Sequence, residues 1–97
     1  MLLHILNRSP ATSLIYLDTL RAMGSEDRLL LIEDAVIGAL PSLIDRFDQL
    51  QPGRLFVLRE DLASRGLASR CSGQAALVDM SGFVELTEQA ERTVSWF

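Results

Sequence analysis

The stretch Arg28-Leu-Leu-Leu-Ile-Glu-Asp-Ala-Val-Ile-Gly-Ala-Leu40 combines an apolar run of strand length with two carboxylates at its end. A strand with one solvated face alternates apolar and polar residues, so the unbroken run at 29–32 predicts a strand covered on both faces. Such strands form parallel sheets between helices, where ligands and partners meet the carboxyl ends of the strands. Glu33 and Asp34 are therefore expected at that edge of a sheet.

The same pattern recurs twice further along the chain. The apolar run 55–58 leads into Glu60 and Asp61, and the run 75–78 leads into Asp79. A further apolar run at 2–6 opens the sequence, helical periodicity separates the runs, and residues 93–97 form either a fifth strand or a tail. This order predicts a single α/β domain spanning residues 1–97, with a small parallel sheet of four to five strands and helices on both faces.

Capping patterns predict where two of the helices begin. Ser9 followed by Pro10 is a favoured pair at a helix start, and Gly24 is a good helix stop. Beyond a break at Pro41, the spacing of Ser42 and Asp45 fits a capping box. One helix is therefore expected between Pro10 and Gly24, and a second after Ser42.

Length and composition limit the classes of function. The 97 residues are 48% apolar and 23% charged, and so short a chain cannot build enough helices to cover both faces of the sheet. The remaining apolar surface is expected to pack on another subunit. The net charge is −4 and the arginines are scattered without a basic stripe, so no direct contact with nucleic acid is expected. Without a membrane-length apolar run, a basic leader or a cysteine pair, the sequence indicates a cytoplasmic protein with no membrane contact.

Motifs for nucleotide and metal chemistry are weak in this sequence. Neither G-x-G-x-x-G nor G-x-x-x-x-G-K-[ST] occurs, and the chain has no lysine. The acidic strand ends could bind a divalent cation. Capping of backbone N–H groups is favoured instead, because parallel α/β topology requires partners for them. We expect neither a metal nor a cofactor.

Five side chains are considered as sites or interfaces. His4, the only histidine, is expected to be packed or hydrogen-bonded structurally, since no partner for catalysis lies near it in sequence. Cys71 lies beside Arg70, which would favour a reactive thiolate, although a lone cysteine is commonly an inert packing residue. Trp96 and Phe97 either pack on the sheet or fill a pocket of a partner. Together with Phe83 they are the candidate interface residues. No catalytic residue is assigned, and Cys71 is the only candidate for one.

The chain resembles the TusB/DsrH family of the DsrE/DsrF/DsrH-like superfamily from end to end. The resemblance is carried by an ordered set of segments: Leu3-His4, Ser9-Pro10, LLLIEDAVIGAL, LREDLASRGL, ALVDMSGFVELT and Ser95-Trp96. It implies a parallel α/β fold and a B subunit of a TusBCD sulfurtransferase complex, a heterohexamer with C- and D-type subunits. In such a relay a TusA-like carrier supplies persulfide sulfur, and a TusE-like carrier delivers it for 2-thiolation of the tRNA wobble uridine.

The resemblance also implies where sulfur would be accepted. The family's sulfur-accepting cysteine belongs to the D-type subunit, where the third strand enters a helix shortly before an Arg-Gly pair. Arg65-Gly66 supplies that landmark here, and the matching region Leu58–Asp61 has no cysteine. Some DsrH-type members of sulfur oxidisers carry a cysteine around the first helix, where this chain has Leu20. A non-catalytic subunit, not an enzyme on its own, is therefore expected.

Three alternatives stay open from the sequence. The chain could be a DsrH-like subunit of a sulfur-oxidation complex, or an active persulfide carrier that uses Cys71. It could also be a homo-oligomeric module that holds a small ligand at the carboxyl ends of the strands.

Overall fold

The computed structural model describes residues 1–50 and 52–97, and these contain one five-stranded sheet. The strands are β1 (Leu2–Leu6), β2 (Arg28–Leu31), β3 (Leu55–Leu58), β4 (Ala76–Val78) and β5 (Arg92–Trp96). The α-helices are α1 (Ile15–Ala22), α2 (Arg59–Ser64) and α3 (Met80–Gln89). Shorter 3-10 segments span Glu33–Ala39, Ile44–Phe47 and Ala68–Arg70.

The strands lie in the order β4-β3-β2-β1-β5, and every neighbouring pair is parallel. One row across the sheet joins Leu6, Leu31, Val57 and Leu77, with Trp96 beside Leu6 at the opposite end. The predicted parallel α/β fold is thus confirmed, and the last residues form a strand rather than a tail.

The connections are divided unequally between the two faces of the sheet. The chain steps in one direction from β1 to β4 and then returns to the far side of β1. Right-handed crossovers require the returning connection to cross the opposite face. Accordingly, α1, α2 and the 3-10 segments at 33–39 and 44–47 contribute to a core on one face, whereas on the other α3 packs Leu86 against Leu3, Ile5 and Leu30.

Both predicted helix starts are wrong. The helix α1 begins at Ile15, and Ser9 instead accepts the N–H of Ala11 through its Oγ atom in a turn, at 3.0 Å. After Pro41 the chain forms only the 3-10 segment Ile44–Phe47, and no side chain caps it, so the capping box is not formed. The local bond of the Ser9 side chain in a turn competes with its use as a helix cap.

The end of α2 follows its sequence signal. Gly66 adopts a φ of 70°, in the left-handed region where a side chain would add strain. Its N–H donates to the carbonyl of Ala63 at 3.0 Å, and the N–H of Leu67 donates to that of Leu62 at 2.9 Å. The helix is thus closed tightly, which brings the following loop back toward β4.

Substitution of Gly38 tests how tightly the first face is packed. A Cβ atom at Gly38 would lie 2.9 Å from Cε2 of Phe47 and 3.2 Å from Cγ of Pro10. We expect Gly38→Ala to lower the free energy of unfolding by about 1–3 kcal/mol through overpacking, measured as a lower urea midpoint. Gly73→Ala is the control, since nothing lies within 4 Å of the added atom there. Equal midpoints for the two variants would contradict this packing.

Candidate functional site

The carboxylates at the ends of the strands are held by backbone N–H groups. Asp61 accepts the N–H of Glu33 at 2.7 Å, and Glu60 accepts the N–H of Met80 at 3.0 Å. Asp79 caps α3 by accepting the N–H of Gly82 at 2.8 Å. Capping of the helix that directly follows, predicted for every one of these carboxylates, is present only at Asp79. The residues that precede α2 and the 3-10 segment Glu33–Ala39 provide no side-chain cap, and Glu60 and Asp61 instead bind the segments that follow neighbouring strands. Their place in the first turn of α2 accounts for this, because the side chains there extend sideways along the sheet edge.

Glu33 is the strained point of the same edge. Its φ of 50° lies in the left-handed region, which costs a non-glycine residue about 1–2 kcal/mol. The short bond to Asp61 holds this conformation, and the side chain of Asn7 approaches Glu33 Oε2 at 3.4 Å. Among the buried side-chain polar atoms of residues 1–50 and 52–97, only Oδ1 of Asn7 lacks a hydrogen-bond partner. Within those residues, no three His, Cys, Asp or Glu side chains are grouped to hold a metal ion.

Cys71 lies at a separate place, after the 3-10 segment Ala68–Arg70. It is half-buried in an open cleft of about 560 Å³ that is also lined by Leu40, Pro41, Ser42, Ser69 and Arg70. Its Sγ atom lies 3.4 Å from the carbonyl oxygen of Ser72. Burial raises the pKa of the Cys71 thiol, so the thiol form is favoured, contrary to the effect expected from the neighbouring Arg70. Sulfur carriage by Cys71 stays a prediction.

A buried carboxylate joins several elements at the amino edge of the sheet. Asp27, which is 7% exposed, immediately precedes β2. Its Oδ1 accepts the N–H of Leu2 at 2.9 Å, and its Oδ2 accepts the N–H of Gly24 at 2.9 Å and lies 2.9 Å from Nε2 of His4. Arg54 donates to the carbonyl oxygens of Asp27 and Gly24 at 2.7 and 2.6 Å. The carboxylate thus ties β1 to the loop after α1, and Arg54 joins the residue before β3 to the backbone of the same loop.

Hydrogen bonding decides the charge of this carboxylate. Burial alone would raise the pKa of Asp27, but the N–H groups of Leu2 and Gly24, together with His4, outweigh it. They lower the pKa from 3.8 to about 2. Asp27 is therefore ionised throughout the range in which proteins normally work.

His4 continues the network to the last strand. It is 2% exposed, and Nε1 of Trp96 lies 3.1 Å from its Nδ1 atom. An indole N–H can only donate, so Nδ1 is the acceptor and Nε2 carries the hydrogen that faces Asp27. Both ring nitrogens of His4 are thus hydrogen-bonded within the protein, Nε2 to Asp27 and Nδ1 to Trp96, as in a structural histidine.

The remaining aromatic candidates lie at different depths. Trp96 is half-buried and packs against the core of the first face, while Phe83 is half-buried under α3. Phe97 is 64% exposed. Contact of these three residues with a partner stays a prediction.

The sequence interpretation missed Asp27 altogether. A weak local signal was available, because Gly and Asp are both common turn residues and Asp side chains bond nearby backbone groups. The turn is present, with the N–H of Asp27 donating to Gly24 at 3.1 Å. The contacts of Asp27 with β1 had no comparable local signal.

No helix within residues 1–50 and 52–97 has the length and apolar character needed to cross a membrane.

The chain has relatives among known proteins. The chain belongs to the DsrH like protein family, whose family model matches residues 8–93. It is 38% identical over 78 residues to the protein named Protein TusB of Yersinia pestis (strain Pestoides F), covering 79% of this chain and 82% of the relative. Protein TusB of Yersinia pseudotuberculosis (strain IP 31758) matches to the same extent. The resemblance to the TusB/DsrH family is thereby confirmed.

Two solved structures share the fold. Protein Tm0979 from Thermotoga maritima superposes with a TM-score of 0.66 at 25% identity, covering 91% of this chain and 92% of that one. The ychN protein from E. coli superposes with a TM-score of 0.72 at 17% identity, covering 97% of both chains. The five-stranded α/β arrangement found here is therefore a known one.

Replacement of Asp27 tests the buried network. We expect Asp27→Asn to lower the free energy of unfolding by about 2–3 kcal/mol at pH 7, because charge-assisted bonds are lost and a donor replaces an acceptor. The matched control is Asp45→Asn, which changes an exposed carboxylate and should leave the urea midpoint nearly unchanged.

The stability difference between the wild type and Asp27→Asn should depend on pH in a defined direction. Since folding lowers the pKa of Asp27 from 3.8 to about 2, its contribution is complete above the higher value and is lost as the pH falls toward the lower one. That contribution is about 2 kcal/mol. Urea midpoints of the wild type and Asp27→Asn should converge between pH 4 and pH 2. A constant difference over that window would show that the carboxylate charge is not what stabilises the fold.

Proposed function

We propose that this chain is a non-catalytic structural subunit of a TusBCD-type sulfur-relay complex, which acts in 2-thiolation of the tRNA wobble uridine. Membership in the DsrH like protein family and 38% identity to proteins named TusB support the proposal. Its partners are C- and D-type sulfurtransferase subunits in a heterohexamer. TusA- and TusE-like carriers supply and remove sulfur at the D-type cysteine.

The main support for the proposal is the segment Leu58–Asp61, which has no cysteine and whose carboxylates bind the protein's own backbone. This segment corresponds to the place of the D-type cysteine, before the landmark Arg65-Gly66 at the end of α2. Its carboxylates Glu60 and Asp61 are bound to backbone N–H groups of neighbouring segments. Carboxylates do not form persulfides, and these two are engaged in holding the sheet edge. The sulfur chemistry then belongs to another subunit, and this chain supports it by assembly.

The distribution of charge and apolar surface supports assembly rather than direct work on RNA. The net charge is −4, which does not favour contact with a phosphate backbone. The second face of the sheet is covered by α3, which leaves Met80 and Val84 about half exposed on its outer side. Apolar side chains of this kind are typical of protein contacts.

Co-expression and deletion test the proposal. The tagged chain, expressed with the C- and D-type subunits of its own organism, is expected to purify as a stoichiometric three-protein complex in the cytoplasmic fraction. Deletion of its gene should remove most 2-thiouridine from tRNA hydrolysates, and a Cys71→Ser copy should restore it, because the persulfide forms on the D-type subunit. Normal thiolation in the deletion strain would refute the role in tRNA, and impaired sulfur oxidation there would favour the DsrH-like alternative. A chain that elutes alone as a homo-oligomer would favour the ligand-binding module.

The second candidate function is persulfide carriage by Cys71, favoured by its position in a cleft beside Arg70. The Cys71 thiolate would attack the outer sulfur of a donor persulfide, forming a Cys71 persulfide and releasing the donor as its thiolate. We expect Cys71 to gain no sulfur from a donor, because burial raises the pKa of its thiol and so disfavours the attacking thiolate. Intact-mass spectrometry after incubation with a loaded TusA-like carrier measures this, with Cys71→Ser as control. A gain of one sulfur mass in the wild type alone would establish carriage.

A further inference from the structure

The outer side of α3 carries an exposed apolar pair, Met80 and Val84. They are 50% and 49% exposed and lie one helical turn apart, so they share a side of the helix. Phe83 and Leu86 already anchor α3 to the sheet in the second core cluster. The pair is therefore not required for packing the helix, and we refer to Met80 and Val84 as the α3 patch.

The charged side chains of α3 itself are all acidic, while the basic Arg28 bonds the far end of the helix by donating to Oε1 of Gln89 at 2.8 Å. Glu85 and Glu88 are exposed on the same helix, and Glu88 follows Val84 by one turn. The exposed Glu60 adjoins the other end, where its carboxylate binds the N–H of Met80 at 3.0 Å. The helix Met80–Gln89 contains no arginine or lysine. The patch is thus an apolar centre with an acidic rim.

We propose that the α3 patch is the docking surface for a different subunit of the sulfur-relay complex, one that presents an apolar patch rimmed by arginine or lysine. This inference rests on the proposed function. Attraction between rims of opposite charge would orient the two chains, and the buried apolar centre would stabilise the contact. A second copy of this chain is disfavoured as the occupant, because a two-fold contact would bring Glu60, Glu85 and Glu88 of both copies together.

The Val84→Glu variant tests the α3 patch in the co-expressed complex. We expect it to reduce the amount of C- and D-type subunit recovered with the tagged chain at least tenfold, because it places a carboxylate in the apolar centre. Its urea midpoint should match that of the wild type, since Val84 is half exposed. Leu14→Glu is the matched control, as Leu14 is 70% exposed and precedes α1 on the other face of the sheet. It should leave recovery unchanged.

Reversing the charge of the acidic rim tests its contribution to docking separately from that of Met80 and Val84. The double variant Glu85→Arg with Glu88→Arg should also reduce recovery at least tenfold at low salt. For the wild-type complex, recovery should fall as the salt concentration rises, because the rim charges are exposed and screened. Recovery that is independent of salt and of charge reversal would overturn the basic-partner assignment.

The remaining outcomes are distinguishable from failure of the proposed function. Normal assembly of Val84→Glu would overturn the α3 patch while leaving the three-protein complex established. A wild-type chain that does not assemble with the C- and D-type subunits would refute the proposed function and the docking inference together. Recovery of an untagged copy with a tagged copy in the absence of the C- and D-type subunits, lost in Val84→Glu, would show instead that the α3 patch joins two copies of this chain.

Discussion

The return of the chain from β4 to the far side of β1 is the constraint on which the arrangement of this protein depends. Because crossovers between parallel strands are right-handed, a connection that reverses direction must cross the opposite face of the sheet. One helix, α3, therefore anchors the second core cluster, whereas two helices and two 3-10 segments contribute to the first. The same return places β5 beside β1 and so brings Trp96 within reach of His4.

Carboxylates hold neighbouring segments together through hydrogen bonds at both edges of this sheet. At the amino edge Asp27 is buried and accepts hydrogen bonds from three donors, two in β1 and one in the loop after α1, which lowers its pKa to about 2. At the carboxyl edge Asp61 and Glu60 fix the first residues of neighbouring segments. In many α/β proteins this second edge is left available to ligands. Here Asp61, Glu60 and Asp79 accept backbone N–H groups of the protein itself, and Asp34 accepts a bond from the side chain of Arg65 at 3.0 Å.

The strands could be predicted from the sequence, because strands covered on both faces appear as continuous apolar runs. The run at 29–32 overlaps β2 (Arg28–Leu31), and the run at 55–58 coincides with β3. The ordered segments also indicated the family, which implied the same fold and marked Leu58–Asp61 as the place that matches the D-type cysteine. Helix starts were predicted less well, since Ser9 and Ser42 have side chains that can serve a turn as readily as a helix.

The contacts that make up the polar networks could not be predicted in the same way. His4 and Asp27 are 23 positions apart, and His4 and Trp96 are 92 positions apart. Local pattern carries no information about such pairs, and the pairing appears only once the order of the strands is known. The docking of Glu60 and Asp61 onto segments that follow other strands has the same origin, because it depends on which strands are neighbours in the sheet.

The position of β1 has a consequence for how the protein folds. Its partner β2 is close in sequence, but its other partner, β5, begins at Arg92 and is the last strand of the chain. Until β5 joins, β1 is an open edge with unpaired backbone groups, and such edges invite pairing with other chains. Contacts between distant parts of a chain also form slowly, because a large loop must be closed first. Pairing of β5 with β1 therefore decides when the apolar strand β1 stops being an open edge, during synthesis as well as during refolding.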